Sequence, residues 1–325
     1  LRSFANTAPV ATARTFIDTA VHRAGPSVAV RAAGILRSTR VWTRLWFDVL
    51  APLTMFSVLF THWVPLWKIL VSGIVLGAIH LGSTLINDAM DVDIDSASSE
   101  RSRYARVLVT GRGRAGDFIV CGALLSLLGI GLAFLLSEFV AALVAGAVAV
   151  ATAYNVPPLR LSGRPIWPQL MWPTIWLLMF GIAGQVIDTD KWSRAWPFAI
   201  FVALFMGVGE GITQDVRDLD NDAAGGRRTT PVVFGVTRVC LVALAAQAAG
   251  AAFWVWFCLS YPLPVGILIA GVAALASWLT QLAGLVRRLD AEFDKDTAKY
   301  THVGSIYVFG ALNVITILGV LLGQS

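Results

Sequence analysis

Nine apolar runs, each close to the length needed to cross a membrane as a helix, recur along this chain. Roughly 20 apolar residues of helix cover the hydrocarbon core of a bilayer. Inside that core every backbone N–H and C=O must be satisfied within the protein, which leaves helices and closed barrels. Runs of this length select helices. The spans are expected at about 42–62, 66–90, 116–136, 138–156, 167–187, 195–214, 237–259, 263–284 and 301–322. Composition agrees: 57% of residues are hydrophobic and 14% charged, where a soluble domain is charged at about a quarter.

Net charge is +5, and its distribution argues for topology rather than nucleic acid. With nine spans, the N-terminus and alternate loops share one side. That side carries 22 of the 25 Lys and Arg; only Lys68, Lys191 and Arg194 fall opposite. Basic loops face the cytoplasm. The expected location is therefore an integral membrane position in a bacterial cell membrane, the Arg- and Ala-rich usage hinting at a GC-rich genome. No nucleic-acid partner is expected. Residues 1–40 lack a continuous apolar run and show no short apolar core after a basic start, which argues against a cleaved signal peptide. Within them "VAVRAAGILRSTR" reads as an amphipathic helix lying on the membrane. The division is a 1–40 amphipathic or flexible segment and a 41–325 transmembrane domain. Cys121, Cys240 and Cys258 have neither zinc nor disulfide spacing and read as small buried hydrophobes.

Two acidic clusters interrupt the apolar pattern. "NDAMDVDID" closes the second span with Asn87, Asp88, Asp91, Asp93 and Asp95. "TQDVRDLDND" closes the sixth with Asp215, Asp218 and Asp222. In both, three aspartates are spaced three and then four apart, which places them on one helical face. Carboxylates this close raise one another's pKa unless a cation separates them. Hard oxygen ligands suit Mg2+, which takes one or two carboxylates plus phosphate oxygens and water. A calcium EF-hand is excluded: Ser96 stands where its glycine belongs and Ser102 where its closing glutamate belongs. One cluster alone could be a solvated charge run; two of identical spacing on one side of the membrane point to a shared ligand.

Arginines accompany both stripes. Arg101, Arg103 and Arg106 follow the first, and Arg227 and Arg228 the second, with Arg106 and Arg228 favoured for substrate contact. The loop "AYNVPPLRLSGRP" lies on the same side, with Tyr154 capping span four, Pro157 and Pro158 holding the chain extended, and Arg160 and Arg164 adding charge. As simple anchors or connectors these residues would need no ligand.

At these positions the chain resembles the UbiA superfamily of intramembrane prenyltransferases. "NDAMDVDID" matches the family's NDxxDxxxD motif at Asn87, Asp88, Asp91 and Asp95. Asp215, Asp218 and Asp222 match its DxxDxxxD motif, and "AAGGRRTTPVVFG" and "YNVPPLRL" are similar to two further family stretches. The likeness runs over about 42–322. It implies an all-α polytopic membrane protein, with about nine helices around a central cavity in two four-helix halves, each bearing an Asp-rich motif. It also implies Mg2+ and an isoprenyl diphosphate donor. On it rest the metal and catalytic roles of Asn87, Asp91, Asp95, Asp218 and Asp222, with Asp88 and Asp215 as supporting members, and diphosphate contacts from Arg106, Tyr154, Arg160 and Arg228. Two departures touch the acceptor side: Arg40-Val41 replaces the usual Arg-Pro, and "RVLVTGR" the usual "RPLpSGr".

The expected chemistry is ionisation of the donor to an allylic cation, with metal and arginine neutralising the departing diphosphate. Desolvated aromatic faces stabilise such a cation by about 0.5–2 kcal/mol each. Transfer to an aromatic or quinone-precursor ring is the leading reading. Terpene cyclisation without an acceptor and phosphoribosyl transfer to a polyprenyl phosphate are alternatives on the same scaffold. An ion-binding transporter is the non-enzyme alternative, since intramembrane ionisable residues also mark transport paths. Of these residues, Asp48 pairs with Arg44 by spacing. His80, Thr84 and Glu210 are assigned to the acceptor and cavity wall, His80 being either a core histidine or a proton acceptor.

Overall fold

The computed structural model describes residues 27–38, 53–59, 64–97, 107–261, 263–291 and 293–323. Among them there is no strand. A short helix α1 (Val28–Ser38) precedes the bundle. Then come α2 (Leu66–Met90), α3 (Val92–Ala97), α4 (Ala115–Ala133), α5 (Glu138–Asn155), α6 (Trp167–Ile187) and α7 (Trp192–Val202). A π-helical stretch, Ala203–Glu210, joins α7 to α8 (Gly211–Arg217). The chain ends with α9 (Leu219–Ala224), α10 (Thr230–Phe234), α11 (Val236–Ser260), α12 (Val265–Ala291) and α13 (Lys295–Gly323).

Eight helices among the described residues are long and apolar enough to cross a membrane. They coincide with eight of the nine expected spans. The ninth, 42–62, lies mostly outside the described residues, as do Arg44 and Asp48; within it 53–59 is helical. The outward surface is oily: Leu70, Ile74, Leu124, Leu127, Leu259 and Ile269 are all more than half exposed. In water such a surface would be a liability; in a bilayer it is the solvated face.

The Trp192–Arg217 span is the axis. Of its apolar window, 72% is buried, more than for any other span. It packs on α6, α11 and α13. The phenyl rings of Phe198, Phe201 and Phe205 run down it to meet Phe257 and Phe309. Its π-helical turns put Gly207 against Pro173, where a Cβ would lie 2.6 Å from the proline Cα. Wide turns of this kind are rare and concentrate at functional sites.

The first half is organised by the crossing of α2 and α4. A Cβ on Gly82 would stand 2.7 Å from the Gly122 carbonyl oxygen, so the two backbones touch. Small residues at crossings let membrane helices approach in this way. Gly82→Ala is expected to destabilise the protein in detergent by about 1–3 kcal/mol, because a backbone atom cannot step aside. Gly77→Ala in the same helix, where a Cβ meets nothing within 4 Å, should be neutral or slightly stabilising. Equal melting temperatures for the two variants would show that the crossing is loose.

Helix α1 is expected from sequence as a membrane-surface element, and the structure ties it to the bundle. Arg31 Nη1 donates to both carboxylate oxygens of Asp117, at 3.0 and 3.3 Å. Ile35 packs beside Leu85, Ala89, Val107 and Phe118, while Val28 and Leu36 stay exposed.

Candidate active site

Each acidic cluster sits where a long helix breaks. Helix α2 stops at Met90, Asp91 takes φ −100° and ψ 5°, and α3 begins at Val92. The second cluster repeats this: α8 stops at Arg217, Asp218 takes φ −94° and ψ 5°, and α9 begins at Leu219. The ladder persists across both breaks. Asp91 N–H donates to Asn87 O and Asp95 N–H to Asp91 O (3.0 and 2.8 Å); Asp218 N–H donates to Gln214 O and Asp222 N–H to Asp218 O (3.1 and 2.9 Å). The three aspartates of each cluster, expected on one helical face, thus straddle a break at the middle aspartate. The reason is local: ψ near zero at that residue turns the chain without leaving the i→i+4 pattern.

The two breaks face each other. Helices α3 and α9 pack together, with Ile94 against Gly225, where a Cβ would lie 2.8 Å from Ile94 Cγ2. Arg227 closes the arrangement. Its Nη2 donates to Asp91 Oδ1 of the first cluster, and its Nη1 reaches Asp222 Oδ1 of the second at 3.5 Å. Asp91 Oδ1 also accepts from Arg160 Nη2 (3.0 Å), which donates to the Met90 carbonyl as well (2.5 Å). Asp91 Oδ2 accepts from Asn87 Nδ2 at 2.8 Å. Asp218 is held by its neighbour Arg217 through Nε and Nη2 at 2.8 and 2.5 Å. Burial pushes the Asp222 carboxyl up to about 6; Arg227 opposes the shift and Asp218 adds to it.

Asp215 has a different environment. It accepts from Gln169 Nε2 at 2.9 Å, Gln169 Oε1 accepts from Thr230 Oγ1 at 2.5 Å, and Thr230 Oγ1 accepts from Ile166 N–H at 3.0 Å. This chain ties α6, α8 and α10 together. Asp88 is buried and Asp95 half-buried. Tyr154 packs edge-on against Trp172 at 5.6 Å and lies within electrostatic reach of Asp215, Arg227 and Asp91. Trp172 covers Gly211. An aromatic wall therefore begins directly under the charged mouth.

Several expectations change. Helix α5 runs through Tyr154 to Asn155 and is capped by Val156. The Pro157–Pro158 bond is cis, in a turn rather than an extended run. Arg228 is exposed and contributes its backbone N–H to Gly163 O, so the bridging guanidinium is Arg227. The positive φ of Gly226 (71°) turns the chain just before the pair, and with the Arg228 N–H bond to Gly163 O it leaves Arg227 as the arginine that faces inward. Arg164 donates to Pro158 O at the surface. Arg106 lies outside the described residues. His80 and Thr84 are half-buried on α2. Glu210 meets a residue sequence reasoning missed: His302 Nδ1 lies 2.9 Å from Glu210 Oε1, both largely buried. His302 stands seven residues into α13, a position with no motif around it to mark it.

Among the described residues, no three carboxylates, imidazoles or thiols converge to enclose a metal ion by themselves. The donors come as hard oxygens from each side, with Asp91, Asp218 and Asp222 matched by arginine. That donor set fits Mg2+, which fills its remaining positions from phosphate and water.

Eight bilayer-length helices among the described residues, with two acidic breaks closed on each other, define a polytopic membrane protein with a polar site at one end of its bundle. The sequence profile of the UbiA prenyltransferase family matches residues 49–320. The chain belongs to that family. It is 24% identical to digeranylgeranylglyceryl phosphate synthase of Saccharolobus solfataricus over 54% of this chain and 60% of that protein, so the match spans less than two thirds of that relative's length. The enzyme of the same name from Methanopyrus kandleri is 26% identical over 63% of this chain and 76% of its own. In fold the chain is similar to a UbiA homolog from Archaeoglobus fulgidus bound to GPP and Mg2+, at TM-score 0.64 and 18% identity over 88% of this chain and 99% of that one.

Proposed function

We propose that this protein transfers an isoprenyl group from a prenyl diphosphate to a small acceptor, with Mg2+, at the folded acidic breaks. The observation that carries the reading is Arg227, one guanidinium holding Asp91 and Asp222 from the two clusters at once. A cation placed between two acidic arms is what a metal-bound diphosphate needs in reverse: carboxylates for the metal, guanidinium donors for the phosphate oxygens. The Mg2+ and GPP of the Archaeoglobus fulgidus structure support the same cofactor and donor class here.

In this reading Asn87, Asp91 and Asp95 on one arm, and Asp218 and Asp222 on the other, hold the metal, with Asp88 supporting. When bound, Mg2+ supplies positive charge against the leaving diphosphate. Arg160 and Arg227 exchange Asp91 for phosphate oxygens, and their planar donors set the orientation of the leaving group. Asp215, fixed by Gln169 and Thr230, holds the second arm in place. Tyr154 and Trp172 offer aromatic faces to the allylic cation. The oily bundle keeps water from quenching it. The arginine-rich loops support a cytoplasmic position for this end of the bundle.

The acceptor is an aromatic or similarly small nucleophile. A second reading, a glyceryl phosphate hydroxyl, is favoured by the names of the archaeal relatives. Both are tested by incubating the purified protein with Mg2+ and prenyl diphosphates of several lengths, with and without each acceptor class, and reading products by mass spectrometry. Diphosphate release accompanied by a prenylated acceptor is expected. A cyclic hydrocarbon formed without acceptor would replace transfer by cyclisation. No magnesium-dependent diphosphate release with any donor would remove the enzyme reading.

A further inference from the structure

We infer that Glu210 and His302 form the internal base of this site, receiving the proton that the acceptor loses on prenylation. The inference rests on the prenyl-transfer reading and deepens it. In the reaction, the allylic C–O bond breaks and its electron pair leaves with the diphosphate. A lone pair or π pair of the acceptor forms the new bond to carbon. The acceptor's X–H bond then breaks, its electrons stay on X, and a proton must go somewhere inside a bundle that excludes water. The diphosphate, gripped by arginines and metal, is a poor base.

The pair is built for that task. His302 Nδ1 is buried, makes no hydrogen bond of good geometry and lies 2.9 Å from Glu210 Oε1, so an imidazole without a fixed partner stands beside a carboxylate and can take up a proton. The imidazolium formed is neutralised by the adjacent carboxylate, which a low-dielectric surrounding demands. A carboxylate that stabilises the charged form of an imidazole is a general device of proton transfer. Both side chains are largely buried, with Glu210 the more open of the two.

Depth places the pair under the mouth. His302 is seven residues beyond Lys295, whose Nζ lies 4.0 Å from Asp220 Oδ2 at the second arm. At 1.5 Å per residue that is about 10 Å into the bundle. Glu210 is five residues before Asp215 and within electrostatic reach of Asp215 and Arg217. It closes the π-helical stretch, and the next residue, Gly211, lies under Trp172 of the aromatic wall. The pair thus shares the neighbourhood in which the donor's reactive carbon would lie.

A purely structural tie between α13 and the axial helix would serve less purpose here. Gln247 on α11 already donates to Ser305 of α13 (2.9 Å), accepts from Trp278 of α12 (2.7 Å), and packs on Gly209 of the π-helical stretch. A buried ion pair adds little stability beyond such contacts.

The test uses the full chain with Mg2+, a prenyl diphosphate and the acceptor found in the product screen. His302→Gln and Glu210→Gln are expected to lower the acceptor-dependent kcat by about 10²-fold or more, with donor KM little changed and magnesium-dependent donor ionisation, read as positional oxygen exchange in the donor diphosphate, retained. In His302→Ala, added imidazoles should restore transfer, and the restored rate should rise with the basicity of the imidazole. Wild-type transfer in both Gln variants would overturn the inference. So would rescue independent of basicity, or loss of transfer and donor ionisation in equal measure. If the wild-type protein itself releases no diphosphate, the prenyl-transfer reading fails instead, so the two failures are distinguishable.

Discussion

Asp91→Asn and Asp218→Asn are each expected to lower kcat/KM by about 10²–10³, the scale of losing one electrostatic contact to a developing charge. Each aspartate is the residue at which its helix breaks, so each presents its carboxylate at the fold of the mouth. Asparagine is the cleaner probe than alanine. Asp91 accepts from Arg160, Arg227 and Asn87, and removing the whole side chain would strand two partly buried guanidinium groups. Asn keeps an acceptor oxygen and the volume while deleting the charge. The loss should be accompanied by a weaker response to Mg2+ in steady-state diphosphate release. Asp93→Asn and Asp220→Asn, at exposed positions off the stripes, should behave as wild type. Full activity in Asp91→Asn and Asp218→Asn, or equal losses in the two off-stripe variants, would detach catalysis from these breaks.

Arg227→Met should separate holding the donor from holding the arms. In this structure Arg227 neutralises Asp91 and Asp222 together. Without it Asp91 keeps Arg160 and Asn87, but the well-buried Asp222 loses its arginine, at a cost on the order of 1–3 kcal/mol. The melting temperature in detergent should therefore fall, and added Mg2+ should recover most of the drop by taking over the neutralisation. Turnover should remain low, by about 10²-fold, because the metal cannot replace the guanidinium donors to the leaving group. Arg227→Lys should restore stability better than turnover, since an ammonium lacks the planar fork. A variant whose melting temperature ignores Mg2+ while turnover stays normal would show that Arg227 is only a surface anchor.

Eight of the nine spans and both acidic clusters were legible because they depend on residue type and spacing alone. Twenty apolar residues need no partner to declare a membrane helix, and three aspartates at three-then-four spacing share a face wherever the helix goes. The fold in each stripe was not legible, since Asp91 and Asp218 carry no Gly or Pro signal for a break. Choosing between Arg227 and Arg228 required the Gly226 turn and the Arg228 N–H bond to Gly163, a contact between segments far apart in sequence. The role of Gln169, which fixes Asp215, depends on helix α6 meeting α8 and α10. His302 was missed for the same reason: its meaning comes from Glu210, on another helix 92 positions earlier. Long-range pairing, rather than composition, is where the site's detail resides.

Beside the Arg227 bridge, the two acidic arms also meet where Ile94 packs on Gly225, a contact between apolar carbon and bare backbone. Charge plays no part in it. The gap between the arms is therefore preorganised: a ligand that neutralises the carboxylates need not also gather them. Binding energy that a floppy site would lose to ordering stays available for distinguishing one donor from another.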